Sequence, residues 1–114
     1  VRRSVETLGQ RATRILETGM LAFPSVAQLA RELGVSQNTL LNVCRKEFGL
    51  SAVELITRVK LQKARELLRI TDYKLQHIAQ ACGFRSLSHF MHAFRRAETE
   101  TPGEWRKRQG QPER

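Results

Sequence analysis

The chain has 114 residues, with 20 Lys and Arg against 11 Asp and Glu, for a formal net charge of +9 at pH 7. That length suits one domain or two small, mutually packed subdomains, and the charge favours a polyanionic partner: DNA, RNA or an anionic membrane surface. The apolar runs are too short to span a membrane, and no N-terminal apolar segment suggests secretion.

Val1 to Met20 reads as an amphipathic helix, with Val5, Leu8, Ala12, Ile15 and Leu16 on one stripe and Arg2, Arg3, Arg11 and Arg14 off it. Gly19 and Pro24 punctuate its end. Ala22-Phe23-Pro24 is expected to be extended, because the residue before proline avoids the α region. Phe23 is expected to plug the first subdomain.

Ser25 to Phe48 then reads as a helix, a tight turn and a second helix. Val26, Leu29, Ala30 and Leu33 fall at i, i+3, i+4 and i+7. Gly34 can end that helix with a positive φ. Val35 is expected to point into the core, and Ser36 to cap the second helix. That helix should bury Leu40, Val43, Cys44 and Phe48, leaving Asn38, Leu41, Asn42 and Arg45 on the opposite face.

After Gly49, Ser51 and Glu54 are spaced as a capping box for a long helix ending near Leu68 or Ile70. Ala52, Leu55, Ile56 and Val59 should face a first subdomain, and Leu61, Ala64, Leu67 and Leu68 a second. Arg58, Lys60, Lys63, Arg65 and Arg69 line the rest and read as a mainly solvated face. At 1.5 Å per residue the helix is a spacer of about 27 Å. Major grooves on one face of DNA recur at about 34 Å. Thr71 and Asp72 are turn residues, with Asp72 the better cap for a helix from Tyr73 or Lys74 to Cys82.

Lys74 to Arg96 repeats the helix-turn-helix pattern. Gly34 and Ala30 match Gly83 and Ala79 at an offset of 49, whereas Leu40, Cys44 and Ser51 match Phe90, Phe94 and Thr101 at 50. The second turn is therefore one residue longer. Two such units in a basic chain strengthen the signal beyond either alone. Thr101-Pro102 should start a short last helix with proline at its first position, and Trp105 should pack into the second subdomain. Arg106, Lys107 and Arg108 are expected near the surface, and residues 109–114 as a frayed tail.

Helix-turn-helix geometry lays the second helix of each pair in the major groove. Asn and Gln can form two hydrogen bonds to adenine, Arg can do so to guanine, and apolar side chains can meet thymine methyls. The expected base-reading residues are Gln37, Asn38, Leu41 and Asn42 in the first unit, and Arg85, Ser88, Met91 and His92 in the second. Leu41 and Met91 could equally fold onto the core. Ser36, Arg45, Lys46, Ser86, Arg95 and Arg96 are the candidates for phosphate contacts, with helix N-termini adding N–H donors. No catalytic constellation or glycine-rich phosphate loop is visible, so no enzyme is expected. His89 and His92 are spaced for at most two metal ligands, and better read as a partly buried or phosphate-contacting residue and a groove-facing one. No metal or cofactor is expected. Cys44 and Cys82 lack CxxC spacing and read as small core hydrophobes kept reduced.

The ordered set of the first helix-turn-helix, KLQKARELL (Lys60 to Leu68), IAQACGF (Ile78 to Phe84), HFMHAFRR (His89 to Arg96) and TPGEWR (Thr101 to Arg106) resembles the DNA-binding domain of the AraC/XylS family of bacterial transcription regulators. The resemblance runs from about Ala27 to Arg108. It implies an all-α fold of seven helices, with two helix-turn-helix subdomains (residues 1–50 and 71–108) joined by one linking helix (51–70). It also implies that both recognition helices enter successive major grooves on one DNA face. A cytoplasmic, nucleoid-associated activator with RNA polymerase as protein partner follows from the same resemblance. So does an effector or dimerisation domain before this one, which the start at Val1 makes an expected missing part. The family usually has glycine at Thr99 and often proline at Ala52. Another functional class is open to the residues: a helical interaction module whose basic surface docks an acidic protein. Double-stranded DNA is the leading partner.

Overall fold

The computed structural model describes residues 6–19 and 23–109. Within them lie seven helices: α1 (Leu8–Thr18), α2 (Val26–Leu33), α3 (Gln37–Phe48), α4 (Ala52–Ile70), α5 (Leu75–Ala81), α6 (Leu87–Glu98) and α7 (Pro102–Arg108). No strand occurs among the described residues. The chain divides into two compact units, Val1–Val59 and Lys60–Arg114, and the division falls inside α4.

In the first unit the apolar stripe expected of α1 is present: Ala12, Ile15 and Leu16 are buried, and Leu8 packs against them from the edge. The helix is shorter than its periodicity suggests. It begins at a Thr7 cap whose hydroxyl accepts from the Gln10 N–H at 3.0 Å, while the Gln10 side chain accepts from the Thr7 N–H at 2.8 Å. Val5, Arg2, Arg3 and Ala22 lie outside the described residues. Leu29, Ala30 and Leu33 of α2, Leu40 and Cys44 of α3, and Ala52, Leu55, Ile56 and Val59 of α4 complete this core. Val35, Leu41 and Phe48 pack on it partly buried.

In the second unit Leu61, Ala64 and Leu68 of α4 join Ile78, Ala79, Cys82, Phe84, Phe90, Phe94 and Trp105. The aromatic rings form a chain: Phe84 to Phe90 at 5.1 Å, Phe90 to Phe94 at 5.8 Å, and Phe94 to Trp105 at 5.8 Å. The last two contacts are edge-on, the arrangement ring quadrupoles favour. No polar or charged residue is buried in either core among the described residues.

Three local expectations are corrected. Phe23 has φ +52 and is half-buried, so it is not extended and does not fill the core as a plug. The proline after it disfavours the right-handed helical region, and the chain meets that restriction by turning left-handed. Asp72 is exposed and is not the cap of α5. Lys74 holds that position with no side-chain bond, and the loop is tied by Thr71, whose hydroxyl donates to the Leu67 carbonyl at 2.6 Å and accepts from the Tyr73 N–H at 3.2 Å. Helix α4 ends with its last carbonyls still to be satisfied, and Thr71 serves one of them before the next helix can begin. Val43 and Phe48 are half-buried rather than buried, at the margin of the α3 core face.

Candidate nucleic-acid interface

The first helix-turn-helix is built by two caps and two anchors. Gly34 takes φ +75 and stops α2, with its N–H donating to the Arg31 carbonyl at 3.1 Å and the Val35 N–H to Ala30 at 3.0 Å. That left-handed conformation costs glycine little. Ser36 then accepts from the Thr39 N–H at 3.1 Å and starts α3. Leu40 and Cys44, fully buried, fix the roll of α3 about its axis. Asn38, Asn42, Arg45 and Lys46 are therefore turned outward and all are exposed. At 3.6 residues per turn they occupy about 100° of the helix surface. Gln37 is exposed in the first turn. Leu41 packs against the core, so only part of its side chain faces out.

The second unit repeats the device. Gly83 has φ +80, its N–H donates to Gln80 at 3.0 Å, and the Phe84 N–H donates to Ala79 at 2.9 Å. Ser86 accepts from the His89 N–H at 3.0 Å and starts α6. Phe90 and Phe94, fully buried, set the roll. Arg85, Ser88, His92, Arg95 and Arg96 are exposed, and Met91 is half-buried. His89 is exposed, with its ring edge-on to Phe84 at 5.6 Å between centroids.

The match extends past the turn. From Leu41 to Leu50 and from Met91 to Glu100, burial follows the same order position by position. The boxes that follow are equivalent. Ser51 and Glu54 exchange bonds of 2.7 and 3.0 Å, and Thr101 and Glu104 bonds of 2.9 and 3.1 Å. Gly49 closes α3 at φ +70, and Thr99 closes α6 at φ +66.

The cations on these faces join no ion pair among the described residues. The ion pairs among the described residues join Arg14 to Glu6, Arg65 to Glu98 and Arg108 to Glu100. Arg45, Lys46, Arg85, Arg95 and Arg96 are in none of them. Glu47, next to Lys46, accepts from the Thr7 hydroxyl at 2.8 Å. The Glu104 carboxyl is held below its ordinary range chiefly by the Thr101 N–H and hydroxyl, and least by the charge of Arg95. Such a surface attracts an anion rather than a cation. The described residues contain no group of three or more His, Cys, Asp and Glu placed to hold a metal, and no helix long and apolar enough to cross a membrane.

Two residues carry roles that spacing did not reveal. Lys60 is half-buried, donates to the Gly83 carbonyl at 3.1 Å and lies 5.4 Å from the centre of the Phe84 ring. Arg106 is not a free surface cation. Its guanidinium donates to the carbonyls of Leu68 at 3.1 Å, Thr71 at 3.1 Å and Tyr73 at 2.8 Å, closing the end of α4 and the loop after it. These bonds link elements far apart in sequence, and no local motif announces them.

A model described as a helix-turn-helix domain matches residues 29–108. Among curated proteins, the chain is 37% identical over 82 residues to the HTH-type transcriptional regulator GlxA of Rhizobium meliloti, covering 72% of this chain and 25% of that protein. The chain spans between a fifth and a third of the length of the curated relatives it matches. Among solved structures, the DNA-binding domain of AdpA, a global transcriptional factor in complex with a target DNA, superposes with TM-score 0.79 at 26% identity, over 91% of this chain and 93% of that one. A transcriptional regulator from Chromobacterium violaceum, of the AraC-type DNA-binding-domain-containing proteins, gives TM-score 0.76 at 26% identity over 94% of this chain and all of that one. The doubled helix-turn-helix, the capping boxes at matched positions and these likenesses agree, and the chain belongs to the AraC/XylS family of helix-turn-helix transcription regulators.

Proposed function

We propose that this chain is the part of a bacterial transcription regulator that binds double-stranded DNA in a sequence-specific way, with α3 and α6 as recognition helices in two major-groove segments. The observation that carries the reading is the outward face that occurs twice, at one offset, on helices whose large apolar residues are all turned inward or half-covered. Gln37, Asn38 and Asn42 on α3, and Ser88 and His92 on α6, are the residues that read base edges, and the exposed parts of Leu41 and Met91 contact thymine methyls. Arg45, Lys46, Arg95 and Arg96, with the N-termini capped by Ser36 and Ser86, hold phosphates. AdpA's complex with its target DNA supports this reading by kinship.

The whole regulator acts in the cytoplasm on the nucleoid, as an activator that works with RNA polymerase under an effector or dimerisation domain. This part rests on kinship alone. An acidic protein as the main partner is not favoured, since the relatives are transcription regulators.

Selection of bound duplexes from a random pool is the test. It should return an asymmetric motif in two parts, one for each recognition helix. Enrichment of no motif, with binding that stays equal for all duplexes, would refute sequence-specific readout.

A further inference from the structure

The two turns differ by one residue, and the structure identifies it. Gly83 and Phe84 match Gly34 and Val35 in position and hydrogen bonding, and Ser86 matches Ser36 as cap. The added residue is Arg85, which has no equivalent in the first unit. It is exposed, and among the described residues no hydrogen bond or ion pair holds its side chain. The same turn is the one Lys60 reaches from α4, with its ammonium on the Gly83 carbonyl and beside the Phe84 ring.

Lys60 is thus held by a carbonyl and a ring face, with no carboxylate paired to it among the described residues. One carbonyl uses one of its three donors. Burial, and then the charge of Arg85, push its pKa below the ordinary lysine value. Two cations are therefore brought within reach of each other's field, one anchored and one exposed, and neither joins an ion pair among the described residues. A chain gains nothing from that repulsion by itself, whereas an anion placed between the two relieves it.

We infer that Lys60 and the added Arg85 form a two-cation clamp for one backbone phosphate of DNA, a contact the first helix-turn-helix unit lacks. The inference rests on the DNA-binding reading above. It moves Arg85 from a base edge, where sequence placed it, to the backbone, and it adds Lys60 to the interface. The clamp fastens the entrance of α6 to the strand and leaves Ser88 and His92 to read bases.

The test is the salt dependence of binding to a selected duplex by Lys60→Met, Arg85→Gln and the double variant. Methionine keeps the stem that lies against Phe84 and removes the charge. Each neutralised phosphate contributes about 0.9 to the slope of log affinity against log salt. Each single variant should lower the slope magnitude by about that amount and weaken binding roughly fivefold to tenfold at 0.1 M salt, alike for cognate and random duplex. Because both cations share one phosphate, the double variant should lose little more than either single one. A duplex with a neutral methylphosphonate at the clamped phosphate should bind wild type and Lys60→Met equally, and Lys60→Arg should restore most of the affinity. Thermal melting of each variant, matching wild type, shows that the turn is intact. An unchanged slope overturns the clamp. So does a loss confined to one base pair, which would make Lys60 only a support for the turn, and so does additive loss in the double variant. Failure of wild type to bind any duplex would instead defeat the DNA-binding reading itself.

Discussion

Thr99 and Gly49 occupy equivalent places at the ends of α6 and α3, and both take a left-handed backbone, at φ +66 and φ +70. A left-handed conformation costs an L residue about 1–2 kcal/mol, and threonine is β-branched, which makes it an outlier there. Replacing Thr99 by glycine removes that cost but frees the unfolded chain, which takes back about 0.5–1 kcal/mol. The short bond from the Thr99 hydroxyl to the Glu98 carbonyl is also lost, on an exposed residue where it is worth little. The net expectation for Thr99→Gly is a gain of about 0.5–1 kcal/mol, a rise in Tm of about 2–6 °C. Gly49→Ala is the mirror experiment. A Cβ there would meet nothing within 4 Å, so any loss comes from the backbone alone, and should be about 1 kcal/mol. Urea titration and thermal melting followed by circular dichroism read both. A Thr99→Gly chain no more stable than wild type, beside a destabilised Gly49→Ala chain, would refute the claim that Thr99 carries backbone strain.

Asn42→Ala or His92→Ala should cost about 1–3 kcal/mol at one base position and relax specificity there, whereas Lys46→Ala should weaken all duplexes alike; binding to single-base variants of a selected site separates the two. Arg106→Lys should destabilise by about 1–3 kcal/mol, because a point ammonium cannot serve the three carbonyls a planar guanidinium reaches; a urea midpoint equal to wild type would contradict this. Both thiols are buried, so a thiol reagent should label the native chain slowly and the urea-unfolded chain at once. Burial raises the Cys82 pKa from 9.0 to about 11. The folded state thus keeps a proton that the unfolded state loses, so this contribution to stability is full below pH 9 and fades as pH rises through 11. Cys82→Ala should remove that alkaline decline, measured against its own value at neutral pH.

Much of this molecule is written in short-range signals. The i, i+3, i+4, i+7 stripe of α2, the Ser36 and Ser51 caps, and the burial of Leu40, Cys44, Phe90 and Phe94 follow from periodicity and from which side chains can bond the first free N–H groups. The outward face of each recognition helix follows as the complement of its buried face. Contacts made across the chain were not legible. Lys60 and Gly83, or Arg106 and the loop it closes, meet only because of how the helices stack, and a lysine or arginine in a row of charges gives no sign of it. Asp72 misled for a related reason: it is a good cap by type, but Thr71 and Arg106 already tie the loop so that Lys74 takes the cap and the next helix starts at Leu75. At Phe23 the rule about prolines limited one region of conformational space without saying which of the others the turn would need.

Helix α4 lends Leu55, Ile56 and Val59 to one interior and Leu61, Ala64 and Leu68 to the other. Most domain borders fall in an exposed, unstructured linker; here the border falls between two adjacent residues of one helix. A protease finds no loop there to nick, and recombination finds no seam at which one half might be swapped without stripping a wall from its neighbour. The two halves therefore share one structural member, and a break in it would open both interiors at once.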